Sequence, residues 1–291
     1  MEKALKFYHI CTDGTHNGMV HFSDEDYQEA IKISAIDAYK NGVIILAYCH
    51  MSTHSHFVVA ADDYDSALSF SNDYKREYAR YSSFHNGHRK VYHNIDSTPI
   101  EITDFRYLKN CIAYTLLNPV VAGMVRRPEE YEWSSFSTYF NKAECAGHPV
   151  NKLGVRECRQ KLHTKEDLSK SVFIMDECGH LVPKSIVAYG FVEQLFRSIT
   201  DFFRALALTD SSVEETRYVF NSLNYSDTEL IAEALTLASR YCHKDSLNQL
   251  TKDEKFRILS AVRKKTGATP KRLARIFRIK PEEINFLCPL S

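Results

Sequence analysis

His50-Met51-Ser52-Thr53-His54-Ser55-His56-Phe57-Val58-Val59-Ala60 follows the apolar run Val43-Ile44-Ile45-Leu46-Ala47-Tyr48-Cys49. That run is short and rich in β-branched residues, which reads as a buried strand, and strand-like residues resume from His54. In an extended chain alternate side chains share a face, so His54 and His56 project together and Ser55 points the other way. Two imidazoles side by side on a rigid strand can hold a divalent metal. The pattern also arises by chance in a chain with 13 histidines, so its meaning depends on the second stretch below.

That stretch is Tyr107-Leu108-Lys109-Asn110-Cys111-Ile112-Ala113-Tyr114-Thr115-Leu116-Leu117-Asn118-Pro119-Val120-Val121-Ala122-Gly123. Asp104 caps a helix expected to end near Asn118, because proline disfavours helical geometry in the residue before it. Tyr114 and Asn118 are four apart and so lie one turn above each other. Facing two histidines, they supply a third neutral ligand and a hydroxyl able to attack whatever the metal polarises. A core tyrosine and a helix-capping asparagine would leave the same trace.

Together these stretches resemble the single-tyrosine HUH transposases, specifically the REP-associated tyrosine transposases. Tyr8-His9-Ile10 is similar to that family's first strand, and Ala47-Tyr48-Cys49-His50-Met51 to the strand entering the histidine pair. Leu117-Asn118-Pro119-Val120-Val121-Ala122-Gly123-Met124-Val125 and Tyr131-Glu132-Trp133-Ser134-Ser135-Phe136 are similar to its closing blocks, in the expected order. The resemblance covers about residues 4–140. Four places depart from the family pattern. Ser55 fills a usually hydrophobic slot, Ser52-Thr53 replaces Pro-Asn, Thr12-Asp13-Gly14 stands for Asn-Arg-Gly, and a basic residue is missing near Val91-Tyr92-His93.

Composition sets looser bounds. The 291 residues are 44% hydrophobic and 25% charged, ordinary for a soluble globular protein of one large or two ordinary domains. Net charge is zero, so a nucleic-acid surface would have to be local and balanced elsewhere. Cysteines at 11, 49, 111, 145, 158, 178, 242 and 288 form no Cys-x-x-Cys pair; reduced thiols in a cytoplasmic protein are expected. Met1-Glu2-Lys3-Ala4-Leu5-Lys6 leads straight into a strand, so no signal peptide is expected. No apolar run is long enough to span a membrane.

In chain order, Leu5–Cys11 is a strand, Met19–Phe22 a short return strand, and Ser23 opens a helix that stops at Asn41-Gly42. A second helix, Asp65–Ser83, interleaves Lys75, Arg76 and Arg80 with Tyr74, Tyr78 and Tyr81. It suits either a single-strand binder or an amphipathic helix with its tyrosines on the sheet. Arg89 and Lys90 close a basic loop, and Val91–Ile102 is a strand region. The sum, β-α-β-β-α-β-α, is an α+β, ferredoxin-like antiparallel sheet with helices, the fold the resemblance also implies. Residues 141–185 read as a connector with a hairpin around Glu177-Cys178-Gly179-His180. Cys145, His148, Cys158 and His163 match no strong zinc template. Residues 186–291 read as helices: Val187–Leu208, Ser212–Leu223, Ser226–His243 and Lys252–Lys265. They end in Thr269–Asn285, which resembles a helix-turn-helix with basic residues Arg272, Arg275, Arg278 and Lys280 on its surface. Glu282-Glu283 suits a groove poorly, and a small helical bundle fits as well.

The resemblance implies a single-stranded DNA endonuclease and strand transferase acting in DNA transposition and recombination. Tyr114 would be the nucleophile, and His54, His56 and Asn118 would hold Mg²⁺ or Mn²⁺. Single-stranded or hairpin DNA would be the partner in the bacterial cytoplasm at the nucleoid, with a homodimer left open. The competing expectation is a domesticated, non-catalytic DNA-binding regulator, supported by Ser55 and the missing basic residue.

Overall fold

The computed structural model describes residues 5–12, 19–85, 87, 91–92, 97–209, 227–266 and 270–279. It divides into two compact units, Met1–Asp210 and Ser211–Ser291. The first is α+β. Its strands are β1 (Lys6–Cys11), β2 (Ile44–His50), β3 (Ser55–Ala61) and β4 (Ile100–Ile102), and its first helices are α1 (Asp24–Lys40), α2 (Tyr64–His85) and α3 (Phe105–Val121). The sheet order is β2-β3-β1-β4, with every neighbouring pair antiparallel. Residues 19–22 form no strand; Val20 and His21 both donate their backbone N–H to Ser52 O.

Local sequence explains the helix ends. Ser23 caps α1 in a capping box closed by Asp26, and Asn41 ends it, with Gly42 at φ +64° beyond. Asp104 Oδ1 accepts from Tyr107 N at 2.8 Å at the start of α3. The end of α3 is a correction: it does not stop at Asn118 but runs through Pro119 to Val121. Proline removes one hydrogen bond, and burial of Leu116, Leu117 and Pro119 holds the last turn in place. Met124 N then bonds to Pro119 O and Gly123 N to Val120 O, both at 2.9 Å, with Gly123 at φ +70°. This is a Schellman closure, which requires a left-handed residue after the cap. A Cβ at Gly123 would meet nothing within 4 Å, so Gly123→Ala isolates the backbone term. It should destabilise the first unit by about 1 kcal/mol, and an unchanged urea midpoint would contradict this helix ending.

The two faces of the sheet have different jobs. Phe57 packs on Phe70 and Tyr74 of α2, and Tyr74 and Tyr78 are fully buried there. They are core residues and do not present rings to nucleic-acid bases. On the opposite face lie His9 and His56, against which Tyr114 of α3 packs.

β2 is an edge strand whose free backbone groups would invite pairing with another chain. Here the following chain covers them. His50 N bonds to Trp133 O and Ala188 N to Ile45 O, Tyr48 N donates to Ser135 Oγ, and the hydroxyls of Tyr131 and Tyr139 donate to His50 O and Leu46 O. The Tyr-Glu-Trp-Ser-Ser block is therefore an edge cover.

Residues 141–209 fall within the first unit. The hairpin around residues 177–180 is present in short form: Met175 bridges Leu181, and Asp176 N bonds to His180 O and Val182 N to Ile174 O. Separately, β5 (His148–Pro149) pairs with β6 (Ile174–Met175). Between them lies α4 (Val155–Leu162). After a single helical turn, α5 (Pro183–Ile186), the helix expected over Val187–Leu208 is broken into two, α6 (Tyr189–Phe196) and α7 (199–209). The break falls at Arg197, at φ +65°.

The second unit holds α8 (Asp227–Cys242), α9 (Lys252–Thr266) and α10 (Pro270–Phe277). Its core gathers Leu230, Ala234, Ala238, Ile258, Val262, Leu273 and Phe277. The expected helix over Ser212–Leu223 and the second half of the helix-turn-helix, with Lys280, lie outside the described residues. No helix among the described residues is long and apolar enough to cross a membrane.

Candidate functional site

The turn from β2 into β3 is closed by Met51 N bonding to His54 O at 2.7 Å, which places His54 one residue before the strand and His56 within it. Their Nε2 atoms face each other at 2.9 Å. Each outer nitrogen is held from behind: His54 Nδ1 by Thr53 Oγ1 at 2.8 Å, and His56 Nδ1 by His9 Nε2 at 3.3 Å. Two facing lone pairs repel unless a proton or a cation lies between them, so the arrangement suits metal binding.

A third donor comes from β1. Cys11 is the antiparallel partner of His56, and its Sγ lies 4.0 Å from His56 Nε2. Donor atoms of Cys11, His54 and His56 all fall within 4.8 Å of one another, the one such group of three His, Cys, Asp or Glu among the described residues. Cys145, His148, Cys158 and His163 form none. Burial holds His56 far below the ordinary imidazole range, with His54 and His9 adding to the effect. Burial alone pushes His9 down to about 3. Both rings are therefore neutral at pH 7, the form in which imidazole ligates a metal.

Tyr114 stands against this group, its ring perpendicular to His56 at 5.7 Å between centroids and edge-on to His9 at 6.3 Å. It is 6% exposed. Asn118, half-buried one turn on, donates Nδ2 to Tyr114 O at 2.9 Å. An amide ligates through its oxygen, so this bond orients Asn118 without consuming the ligating atom.

Ser55, between the two histidines, faces the other side. Its Oγ lies 2.8 Å from His50 Nδ1 and 2.9 Å from Tyr74 OH, and its N–H donates to Thr12 Oγ1 at 2.8 Å. The Ser55 hydroxyl gives the buried His50 ring a hydrogen-bond partner. His21 stands edge-on to His50, and burial pushes it down to about 4.

The residues expected to meet DNA are scattered. Contrary to expectation Lys75 is buried, 8% exposed, because its helix turns that position inward. Arg76 pairs with Asp73 at 2.6 Å and Arg80 with Glu77 at 3.4 Å. Arg275 and Arg278 are exposed, whereas the side chain of Arg272 and all of Arg89, Lys90 and Lys280 lie outside the described residues. Sequence reading missed His9, Cys11 and Thr53. The available signal was period two in β1, where His9 and Cys11 alternate with Tyr8 and Ile10.

No protein-family model and no curated protein matches the chain. A solved structure of a REP-associated tyrosine transposase bound to a REP hairpin is similar to it at 13% identity, over 49% of this chain and 82% of that one. The TM-score is 0.37, and neither score nor identity establishes a shared fold.

Proposed function

We propose that the first unit cuts and rejoins single-stranded DNA with Tyr114 as nucleophile. The observation that carries this reading is the packing of the Tyr114 ring against His56, whose Nε2 faces that of His54. The strand order of the sheet supports a ferredoxin-like arrangement that brings the two central strands and α3 together. A cation on His54 and His56, with Asn118 as a further ligand, would polarise a non-bridging phosphate oxygen as a Lewis acid. The phenol oxygen attacks phosphorus, the bond to the upstream 3′ oxygen breaks, and the phenol proton ends on that oxygen. A 5′-phosphotyrosine and a free 3′-hydroxyl result. Reversal by the same or another 3′-hydroxyl rejoins the strand without ATP, because the phosphoester bond is conserved. The resemblance names Mg²⁺ or Mn²⁺ and a hairpin-flanked single strand.

A non-catalytic DNA-binding role is favoured by one observation, the near-complete burial of Tyr114. Incubation with labelled single strands and Mn²⁺ separates the two readings. The catalytic one requires an adduct that survives denaturation, and its absence across hairpin-bearing and linear strands would leave only binding. His54→Ala should weaken divalent-metal affinity by on the order of tenfold or more, read by calorimetry. Unchanged affinity would place the metal elsewhere.

A further inference from the structure

We infer that Cys11 is a protein ligand in the His54–His56 site, and that the site therefore prefers a thiophilic dication such as Zn²⁺ or Co²⁺ to Mg²⁺. The inference rests on the reading of His54 and His56 as a cation site and changes what that site holds. Cys11 and His56 are direct partners across an antiparallel pair, so their side chains leave the sheet on the same face. Metal–sulfur and metal–nitrogen bonds of about 2.3 and 2.1 Å span at most about 4.4 Å together. The 4.0 Å between Cys11 Sγ and His56 Nε2 lies within that reach.

Donor chemistry then selects the ion. Mg²⁺ is a hard cation that keeps oxygen ligands and water. A thiolate beside two neutral imidazoles is a soft set, and affinity for it rises steeply toward zinc. Cys11, His54 and His56 make three protein donors, the count of catalytic zinc sites; in this assignment Cys11 takes the place of Asn118, whose amide is turned back onto Tyr114 O. The outer shell is also in place, since Thr53 and His9 engage the far nitrogen of each ring and leave Nε2 turned inward. His9 is thus a positioning residue for His56.

Addition of Co²⁺ to the metal-free full chain tests this. A near-ultraviolet thiolate-to-cobalt charge-transfer band is expected, displaced by Zn²⁺. Cys11→Ser should lose the band, keep weak visible cobalt absorption from the histidines, and bind Zn²⁺ on the order of tenfold or more weakly while Mn²⁺ affinity stays within about twofold. A wild-type spectrum without the band, or a band that survives in Cys11→Ser, overturns the assignment. If His54→Ala abolishes Co²⁺ binding and Cys11→Ser changes nothing, only the thiolate assignment fails. If His54→Ala also changes nothing, the cation site itself fails. Should Cys11→Ser not fold, protection of Cys11 from iodoacetamide by Zn²⁺, mapped by mass spectrometry on the wild-type chain, decides the question. Equal labelling with and without Zn²⁺ counts against it.

Discussion

Tyr114→Phe should lower the yield of covalent protein–DNA adduct by about a thousandfold or more, while single-strand affinity stays within a factor of about two. The ring supplies the contacts with His9 and His56, and phenylalanine keeps the ring. Only the hydroxyl proposed to form the new phosphorus–oxygen bond is removed, so a specific chemical loss is expected on an intact fold. Denaturing gels read the adduct, fluorescence anisotropy reads binding, and thermal melting confirms folding. Adduct formation at the wild-type level by the phenylalanine variant would take Tyr114 out of the reaction.

Mild acid should destabilise the first unit above the pH range in which ordinary carboxylates titrate. Burial holds His9 at about 3 and His21 at about 4, and His50 far below the usual range, whereas in the unfolded chain each titrates near about 6.5. Unfolded histidines therefore take up protons as pH falls through about 6.5, and the native ones do not. Their contribution to stability is complete above that value and declines toward pH 4. Asp37 opposes the trend, because burial first and Asp73 second raise it to about 7. Its contribution is largest in acid and is lost as pH rises toward 7. By pH 5 His9 and His21 cost about 2 kcal/mol each, Asp37 returns about 2 kcal/mol, and buried His50 and His56 add to the loss, so the net is at least about 2 kcal/mol. That is a large share of a typical domain's stability. Urea midpoints of the metal-free protein at pH 7.5 and 5 check it, and a flat profile would mean that these rings are solvated in the native state.

Much of the fold was legible because it is written locally. Ser23, Asn41 and Asp104 mark helix ends through their own side chains, and the apolar run before His50 is a strand by composition. Local rules failed where tertiary packing decides. Pro119 stays helical because its neighbours are buried, and Tyr74 and Tyr78 are core residues because α2 lies on the sheet. Residues 141–170 look polar in sequence, yet Val150, Cys158, Leu162 and Leu168 are buried. For the site, His54, His56, Tyr114 and Asn118 share two short stretches and could be read together. Cys11 is 45 residues from His56, and only strand pairing makes them neighbours.

The middle strand carries unlike assemblies on its two sides, the Cys11–His54–His56 group above and the Ser55–His50–Tyr74 hydroxyl–imidazole chain below. Slipping by one residue would exchange them, putting a serine where a metal donor is needed and two imidazoles into an oily layer. The lower chain thus works as a register key for the upper one. On the proposed function, a mutational scan scored only by DNA joining would flag Ser55 and His50 alongside Cys11, His54 and His56, although neither need ever touch a nucleotide.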